Sequence, residues 1–205
     1  MSSTEDSERW SRYYQAVQGR SPRPLFVAAL AAFEHAGFDT AGAQAIDLGC
    51  GDGIETLALL AQGWQVEAID QQPEASERIL AAVPVTDRPR LHTQSCPFQD
   101  ALLPSADFIY AGLSLPFCRP LHFPGIWQHV VQALRPGGRF AGHFFGMRDG
   151  WRDDPHMIFH TADDLAECFC AFEIETISEI TENRPTALGE PKHWHIFEVI
   201  ARRTS

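Results

Sequence analysis

A short run with a glycine at every second position carries the strongest chemical signal in the sequence. Residues 49–53 read Gly-Cys-Gly-Asp-Gly, between a buried-strand pattern at 43–48 and a helix pattern at 54–62. Glycines let the backbone approach a ligand closely and adopt conformations closed to other residues. Asp47, just before this turn, presents a carboxylate suited to a cation or an amine. The run therefore predicts a ligand-binding turn beyond a strand end.

A second acidic residue, Asp70, ends the next strand pattern at residues 64–70. In nucleotide-binding α/β folds an acid at this position accepts hydrogen bonds from ribose hydroxyls. The dinucleotide fingerprint would need a glycine where Ile54 stands, and the Gly-Lys-Ser/Thr of a Walker A loop is absent. An acid beside a ribose site, without a phosphate cradle, points to an adenosine that carries an amino-acid chain.

The elements that must position these groups alternate between strands and helices, which is typical of an open, mostly parallel α/β sheet. The last two strands lack an intervening helix, so an antiparallel hairpin with a loop at residues 182–193 is predicted. Residues 1–8 are expected to form a loose tail. Apolar periodicity predicts helices at 10–18, 25–36, 54–62, 73–82, 123–134 and 161–171, and strands at 43–48, 64–70, 90–93, 107–111, 139–145, 173–181 and 194–201.

Taken together, these motifs resemble those of class I S-adenosylmethionine-dependent methyltransferases. Residues 47–53 are similar to the first motif of that family, and Asp70 matches its ribose-binding acid. Residues 134–139, Leu-Arg-Pro-Gly-Gly-Arg, resemble the turn before its fifth strand. The resemblance covers roughly residues 40–203. Residues 142–146 and 192–197 are similar to stretches of small bacterial methyltransferases of the tellurite-resistance group.

The resemblance implies a Rossmann-like, seven-stranded, mostly parallel sheet with an antiparallel C-terminal strand and helices on both faces. Residues 1–40 would form a short helical lid and residues 41–205 the cofactor-binding domain. The implied cofactor is S-adenosyl-L-methionine, with Asp47 facing its amino group and Asp70 its ribose hydroxyls. Further cofactor contacts are implied for Gly49, Cys50, Gly51, Gly53, Gln71, Ser95, Cys96, Phe98, Ala111 and Arg20. No acid follows the third strand, where the family often places one for the adenine amine.

The acceptor side carries less specific signals. Residues 114–117, Ser-Leu-Pro-Phe, stand where amino-methyltransferases carry Asn/Asp-Pro-Pro-Tyr/Phe, so nucleobase or amide N-methylation is disfavoured. The candidate substrate-binding residues are Tyr13, Tyr14, Phe117 and Arg148, and Asp149 and Trp151 follow in the same loop. His143, on the fifth strand, is either a general base or a core histidine. Arg184 and Lys192 are expected in the terminal loop, where they could bind an anion.

Composition limits the class of protein. The net charge is −11, which disfavours unspecific binding to the phosphate backbone of nucleic acids. Five cysteines without a CxxC pair predict neither a disulfide framework nor a zinc ribbon, and no metal is expected. The N-terminus is polar, and the longest apolar run, residues 108–118, is too short to span a bilayer. A soluble, cytoplasmic protein with no membrane partner is predicted.

The resulting functional hypothesis is methyl transfer to a small-molecule acceptor by in-line displacement. The acceptor is expected to be small because no insertion is long enough for a second substrate domain. Oxyanions, thiols and chalcogen species are candidate nucleophiles. Two alternatives remain open at this stage: a non-catalytic S-adenosylmethionine-binding regulatory module, and a nicotinamide-dependent oxidoreductase.

Overall fold

Alternating apolar strands and amphipathic helices assemble into one sheet with helices on both faces. The computed structural model describes residues 3–204, and the side chains of residues 7–204. The strands are β1 Gln44–Leu48, β2 Gln65–Asp70, β3 Leu91–Ser95, β4 Ala106–Ala111, β5 Leu134–Gly146, β6 Phe159–His160, β7 Phe172–Pro185 and β8 Pro191–Arg203. The α-helices are α1 Ser3–Ala16, α2 Pro24–His35, α3 Ile54–Ala61, α4 Pro73–Ala82, α5 Phe123–Ala133 and α6 Ala162–Cys168.

The strand order is β3-β2-β1-β4-β5-β8-β7, and the short β6 pairs with β5 off this path. Strands β1 to β5 pair in parallel, whereas β8 runs antiparallel to both β5 and β7. The predicted Rossmann-like, seven-stranded sheet with an antiparallel C-terminal strand is thereby confirmed, with β6 as a two-residue addition. The order reverses between β1 and β4, and a switch point of this kind opens a crevice at the strand ends.

Each face of the sheet is covered by aromatic packing. On one face α2 buries Phe26 and Phe33, and Phe33 packs edge-on against Trp64 and Phe108. On the other face the ring of Trp127 in α5 lies 5.0 Å from that of Phe140 in β5. Such edge-to-face pairs add to the free energy gained from apolar burial. The sheet between these two layers is the rigid support of the strand ends.

Several local predictions differ from the structure. Strand β5 begins at Leu134, within the segment predicted as the turn before it, and α6 ends at Cys168 rather than at residue 171. The predicted loop at 182–193 is mostly strand, because β7 and β8 extend their pairing to Pro185 and Pro191 and leave a turn of five residues. The predicted tail at 1–8 is wrong for residues 3–8, which belong to α1, while residues 1 and 2 lie outside the described residues. Strand β3 extends to Ser95, two residues beyond its predicted end.

Thr161 caps the start of the last helix, α6. The Thr161 side chain accepts a hydrogen bond from the backbone N–H of Asp164, and the Asp164 carboxylate accepts one from the backbone N–H of Thr161. This capping box satisfies two backbone groups at the start of α6. Within the described part of the chain, no helix is both long and apolar enough to cross a membrane.

Candidate active site

A cavity of about 620 Å³ opens beyond the carboxyl ends of β1, β2 and β4. Its size is within the range of small-molecule and cofactor sites. The glycine-rich turn after β1 forms its floor, and the first helix contributes Trp10, Tyr13 and Tyr14 to its wall. The switch point of the sheet and the glycine-rich turn thus coincide, as the sequence predicts.

The backbone of the turn depends on glycine at two positions. Gly49 has φ +88°, and a Cβ added there would lie 2.2 Å from the Cβ of Ser114. Gly53 has φ +79°, and a Cβ added there would lie 2.4 Å from the Ile79 side chain in α4. Both φ values are in the left-handed region that favours glycine. Gly49 therefore allows a close approach between the turn and the end of β4, and Gly53 one between α3 and α4.

The carboxylate of Asp70 is buried at the end of β2 and anchors the turn. It accepts hydrogen bonds from the backbone N–H groups of Gly51, at 3.0 Å, and Gln72, at 2.9 Å. The Tyr14 hydroxyl donates to it from α1 at 3.3 Å. Burial raises the pKa of the Asp70 carboxyl above its usual value, while the two backbone hydrogen bonds act in the opposite direction. An acid held in this way is placed to accept further hydrogen bonds from a bound diol.

Asp47 is almost fully buried at the end of β1, where it lines the cavity. Burial and the neighbouring Glu55 carboxylate raise the pKa of Asp47 to about 7, although the Thr56 hydroxyl donates a hydrogen bond to it at 2.7 Å. A carboxylate in this environment is stabilised by any cation that enters the cavity. Asp47 is thus suited to bind an ammonium group.

Arg20, in the segment between α1 and α2, binds two carboxylates at the start of α3. Its guanidinium donates to both oxygens of Glu55 at 2.6 Å and to Asp52 at 3.1 Å. Burial raises the pKa of Glu55, but the hydrogen bonds from Arg20 outweigh burial and hold that pKa below its usual value. Glu55 is therefore ionised at neutral pH and joins the N-terminal segment to the glycine-rich turn.

Among the described residues, three that line the cavity each have a buried polar atom without a hydrogen-bond partner. These atoms are Nε of Arg20, Oδ2 of Asp52 and the hydroxyl of Tyr110. Buried polar groups are nearly always paired, so these atoms are candidate contacts for a ligand bound in the cavity. Two donors and one acceptor, beside the Asp47 carboxylate, match the carboxylate and the ammonium of an amino-acid group. The residues present therefore fit the amino-acid end of S-adenosyl-L-methionine.

The opposite half of the cavity is aromatic. Phe117, in a 3-10 turn after β4, lies 5.1 Å from Trp10 of α1 and 6.1 Å from both Phe145 and Trp151, measured between ring centroids. Trp194 of β8 completes this group at 5.7 Å from Trp151. We call these five side chains the aromatic half. Their rings offer apolar surface to the cavity, which favours a flat, apolar ligand.

The cavity brings together residues from distant parts of the sequence. Of the predicted site residues, those that line it are Arg20, Asp47, Gly49, Cys50, Gly51, Asp70, Gln71, Phe98, Tyr13, Tyr14 and Phe117. Cys50 is protonated at neutral pH, because burial raises the pKa of its thiol well above the usual value. Asp149 is buried next to the aromatic half without lining the cavity, whereas Trp151 lines it.

Four of the predicted cofactor-binding residues do not line the cavity. Gly53 is shielded by its contact with Ile79. The Ser95 hydroxyl is 3.0 Å from that of Ser76 in α4, and Cys96 packs against the core. Ala111 points into the same core on the opposite side of β4 from Tyr110. Each prediction followed from the resemblance to the methyltransferase motifs, whereas the direction of each side chain depends on the face of its strand or turn.

The two residues predicted for acceptor chemistry at the end of β5 lie outside the cavity. His143 is buried between strands with its Nε2 3.3 Å from Glu198, and burial lowers the pKa of its imidazole. Arg148 points away from the cavity and donates to Glu179 at 2.7 Å. Neither side chain reaches a ligand in the cavity. Arg184 and Lys192, expected in a loop, belong to β7 and β8.

Several wall residues were missed by sequence reasoning. Tyr110, Phe145 and Trp194 lie on strands, where an aromatic residue usually indicates core packing. Arg119 and His122 follow the β4 turn and also line the cavity. For Tyr110 alone a signal was available, because it lies near the carboxyl end of β4 beside the switch point.

Comparison with known proteins finds a family match for the central part of the chain. Residues 46–140 match the protein family described as a methyltransferase domain. An uncharacterised methyltransferase of Synechocystis, sll0829, is 29% identical over 100 residues, which cover 49% of this chain and 46% of that protein. The chain thus spans less than half the length of that curated relative. The predicted resemblance to methyltransferases is confirmed.

Solved structures show the same fold. TehB from Haemophilus influenzae superposes with a TM-score of 0.68 at 18% identity, over 86% of this chain and 62% of that one. A 1,6-didemethyltoxoflavin-N1-methyltransferase from Burkholderia thailandensis, solved with 1,6-didemethyltoxoflavin and S-adenosylhomocysteine, covers this whole chain and 92% of its own, with a TM-score of 0.61 at 21% identity. These comparisons support S-adenosyl-L-methionine as the cofactor. Residues 46–140 thus match a methyltransferase domain, and the chain has the fold of the S-adenosylmethionine-dependent methyltransferases.

Proposed function

We propose that this protein transfers a methyl group from S-adenosyl-L-methionine to a small molecule with a flat, apolar body. The observation that carries the proposal is one cavity with two chemically different halves. The half at the glycine-rich turn is acidic and hydrogen-bonding, as an adenosine with an amino-acid chain requires. The aromatic half lies in the same cavity, so a ligand in each would be in contact.

Residues of the chain would hold the cofactor at three points. Asp70 would accept hydrogen bonds from the ribose hydroxyls, and Asp47 would face the ammonium. Tyr110 and Arg20 would donate to the carboxylate through the atoms that lack partners. The bound cofactor would supply a methyl group on a sulfonium, which is an activated electrophile. The protein itself would contribute alignment and the exclusion of water.

The aromatic half would orient the acceptor. Trp10 and Phe117 form one contact across it, and Arg9 of α1 stacks over Trp151 at 5.8 Å. Helix α1 therefore meets the loop after β5 across the cavity, which supports a lid role for the α1 part of the predicted segment 1–40, whereas α2 covers a face of the sheet. An acceptor held between rings can place its nucleophile in line with the methyl group.

The acceptor nucleophile would arrive already reactive. Among the described residues, the imidazoles that line the cavity are those of His122 and His156, and both reach solvent. His143, the base candidate from the sequence, is elsewhere. A thiolate, an oxyanion or a chalcogen anion on a flat molecule needs no buried base for methylation. Such acceptors are the class that we propose.

Calorimetric titration with S-adenosylmethionine and S-adenosylhomocysteine tests the cofactor site, with NADH as the competing ligand. Asp70→Ala should abolish binding of both sulfur ligands, whereas Asp153→Ala, at a side chain that is 98% exposed, should leave it intact. A labelled methyl group should then be transferred to members of a panel of aromatic thiols, phenolates and chalcogen oxyanions. Binding of NADH alone would refute the proposal. Cofactor binding without transfer to any acceptor class would favour a regulatory module.

A further inference from the structure

Lys192, the one lysine among the 205 residues, occupies an aromatic cage. Its side chain is only 1% exposed at the start of β8. The ammonium Nζ lies 3.5 Å from the ring centroid of Trp194, 3.7 Å from that of Trp151 and 4.2 Å from that of Phe145. An ammonium this close to three ring faces is held by the ring quadrupoles. The cage is thus filled by the protein's own cation.

A buried carboxylate completes the cage. Asp149 is within 2.9 Å and 3.0 Å of Nζ through its two oxygens, and its side chain is 0% exposed. The same carboxylate accepts hydrogen bonds from the backbone N–H groups of Trp151, at 3.0 Å, and His195, at 3.1 Å. The Lys192–Asp149 pair therefore joins the turn after β5 to strand β8.

The three caged rings are also part of the cavity wall. Phe145, Trp151 and Trp194 line the cavity, whereas Lys192 and Asp149 lie behind them. Lys192 thus contacts rings that also border the space proposed for the acceptor. A buried ion pair is weak evidence for stability, because its desolvation offsets its attraction. The Lys192–Asp149 pair instead holds the three rings in one defined arrangement.

We propose that Lys192 is a positioning residue for the acceptor: its ammonium, held by Asp149, fixes Trp151 and Trp194 in the orientation against which the flat body of the acceptor rests. The inference rests on the proposed function, because it concerns the acceptor half of that same site. Lys192 would act through the rings and would not touch the acceptor itself.

A pH titration can test the role of the Lys192 charge. Three charged groups face the cage from the surrounding elements: Asp149 after β5, Arg184 of β7, which stacks over Trp194 at 4.4 Å, and Arg9 of α1, which stacks over Trp151. Burial lowers the pKa of Lys192 to about 8, and its hydrogen bond to Asp149 limits that decrease. Loss of the proton should release the rings from the ammonium, and tryptophan fluorescence would report the change.

The test compares Lys192→Met with Arg152→Met, a control at an exposed guanidinium in the adjacent turn. Wild-type tryptophan fluorescence should show a transition near pH 8, which Lys192→Met should lose and Arg152→Met should keep. In protein saturated with S-adenosylhomocysteine, binding of the aromatic probe 1-anilinonaphthalene-8-sulfonate should weaken about tenfold in Lys192→Met. The affinity for S-adenosylhomocysteine itself should change less than about twofold, because Lys192 does not contact the cofactor half.

Equal probe affinity in Lys192→Met and wild type would overturn the proposal. If Lys192→Met fails to fold, the pH titration of the wild type takes its place: probe affinity should fall through the same transition near pH 8, and a flat profile would refute the inference. Absence of S-adenosylhomocysteine binding in the wild type would instead refute the proposed function. The cofactor titration thus separates failure of the function from failure of the positioning role.

Discussion

Asp47 should make cofactor affinity depend on pH near neutrality. Its carboxyl is only 2% exposed and has a pKa of about 7, because burial and the Glu55 carboxylate disfavour its ionised form. The ammonium of S-adenosylhomocysteine would interact favourably with the ionised form and poorly with the neutral acid. Raising the pH through 7 should therefore strengthen binding.

The size of the effect follows from the pKa. With a pKa of about 7, the ionised fraction of Asp47 rises from about one-tenth at pH 6 to about nine-tenths at pH 8. If only the ionised form binds tightly, affinity should rise about tenfold over that interval, or about 1.4 kcal/mol. Binding below the pKa should also release protons, since the ammonium lowers the pKa of the carboxyl.

Calorimetry from about pH 6 to about pH 8 measures both quantities, with proton release read from buffers of different ionisation enthalpy. Two matched comparisons isolate Asp47. The variant Asp47→Asn should bind S-adenosylhomocysteine more weakly and without a pH slope. The ligand 5′-methylthioadenosine lacks the amino-acid chain and should show no slope with the wild type. A flat wild-type profile, or a slope that survives in Asp47→Asn, would refute the reasoning.

Three further variants probe the rest of the site. Gly49→Ala should lower the melting temperature and abolish cofactor binding, because its Cβ would lie 2.2 Å from the Cβ of Ser114 at a φ of +88°. The control Gly125→Ala has open space around its Cβ in α5 and should raise stability by up to about 1 kcal/mol. Similar melting temperatures for the two variants would contradict this prediction. Tyr110→Phe should weaken the binding of S-adenosylhomocysteine about tenfold and leave the binding of 5′-methylthioadenosine unchanged. Equal losses of affinity for the two ligands would show that the Tyr110 hydroxyl does not contact the amino-acid group. Arg20→Met should destabilise the fold by about 3 kcal/mol in urea unfolding, because it leaves the buried Glu55 carboxylate without its ion-pair partner. The control Arg12→Met, at an exposed residue of α1, should change stability by less than about 0.5 kcal/mol.

The predictions from the sequence succeeded where local backbone chemistry decides the structure. The strand-turn-helix at residues 43–62 follows from an apolar run, three glycines and an amphipathic segment, none of which needs a distant partner. Asp47 and Asp70 end strands of a parallel sheet, so their meeting at one edge follows from topology alone. The antiparallel last strand could be predicted because no helix pattern separates the last two strand patterns.

The aromatic half could not be predicted from the sequence in the same way. Trp10, Phe117, Phe145, Trp151 and Trp194 come from five separate segments, and nothing in their spacing along the chain shows that they meet. His143 and Arg148 were chosen for their chemistry and their place near the end of β5. Their side chains are instead directed by partners on β8 and β7, Glu198 and Glu179.

The C-terminal hairpin shows most clearly what could not be predicted from the sequence. Its polar residues at 182–193 predicted a solvent loop, because an edge strand with both faces exposed has the composition of a loop. Cross-strand pairing decides that these residues are strand, and it places Lys192 beneath three rings. The sequence by itself determined the cofactor turn, because backbone conformation and strand ends are local properties. The tertiary structure alone decided which side chains face the acceptor, because that depends on contacts between segments far apart in the chain.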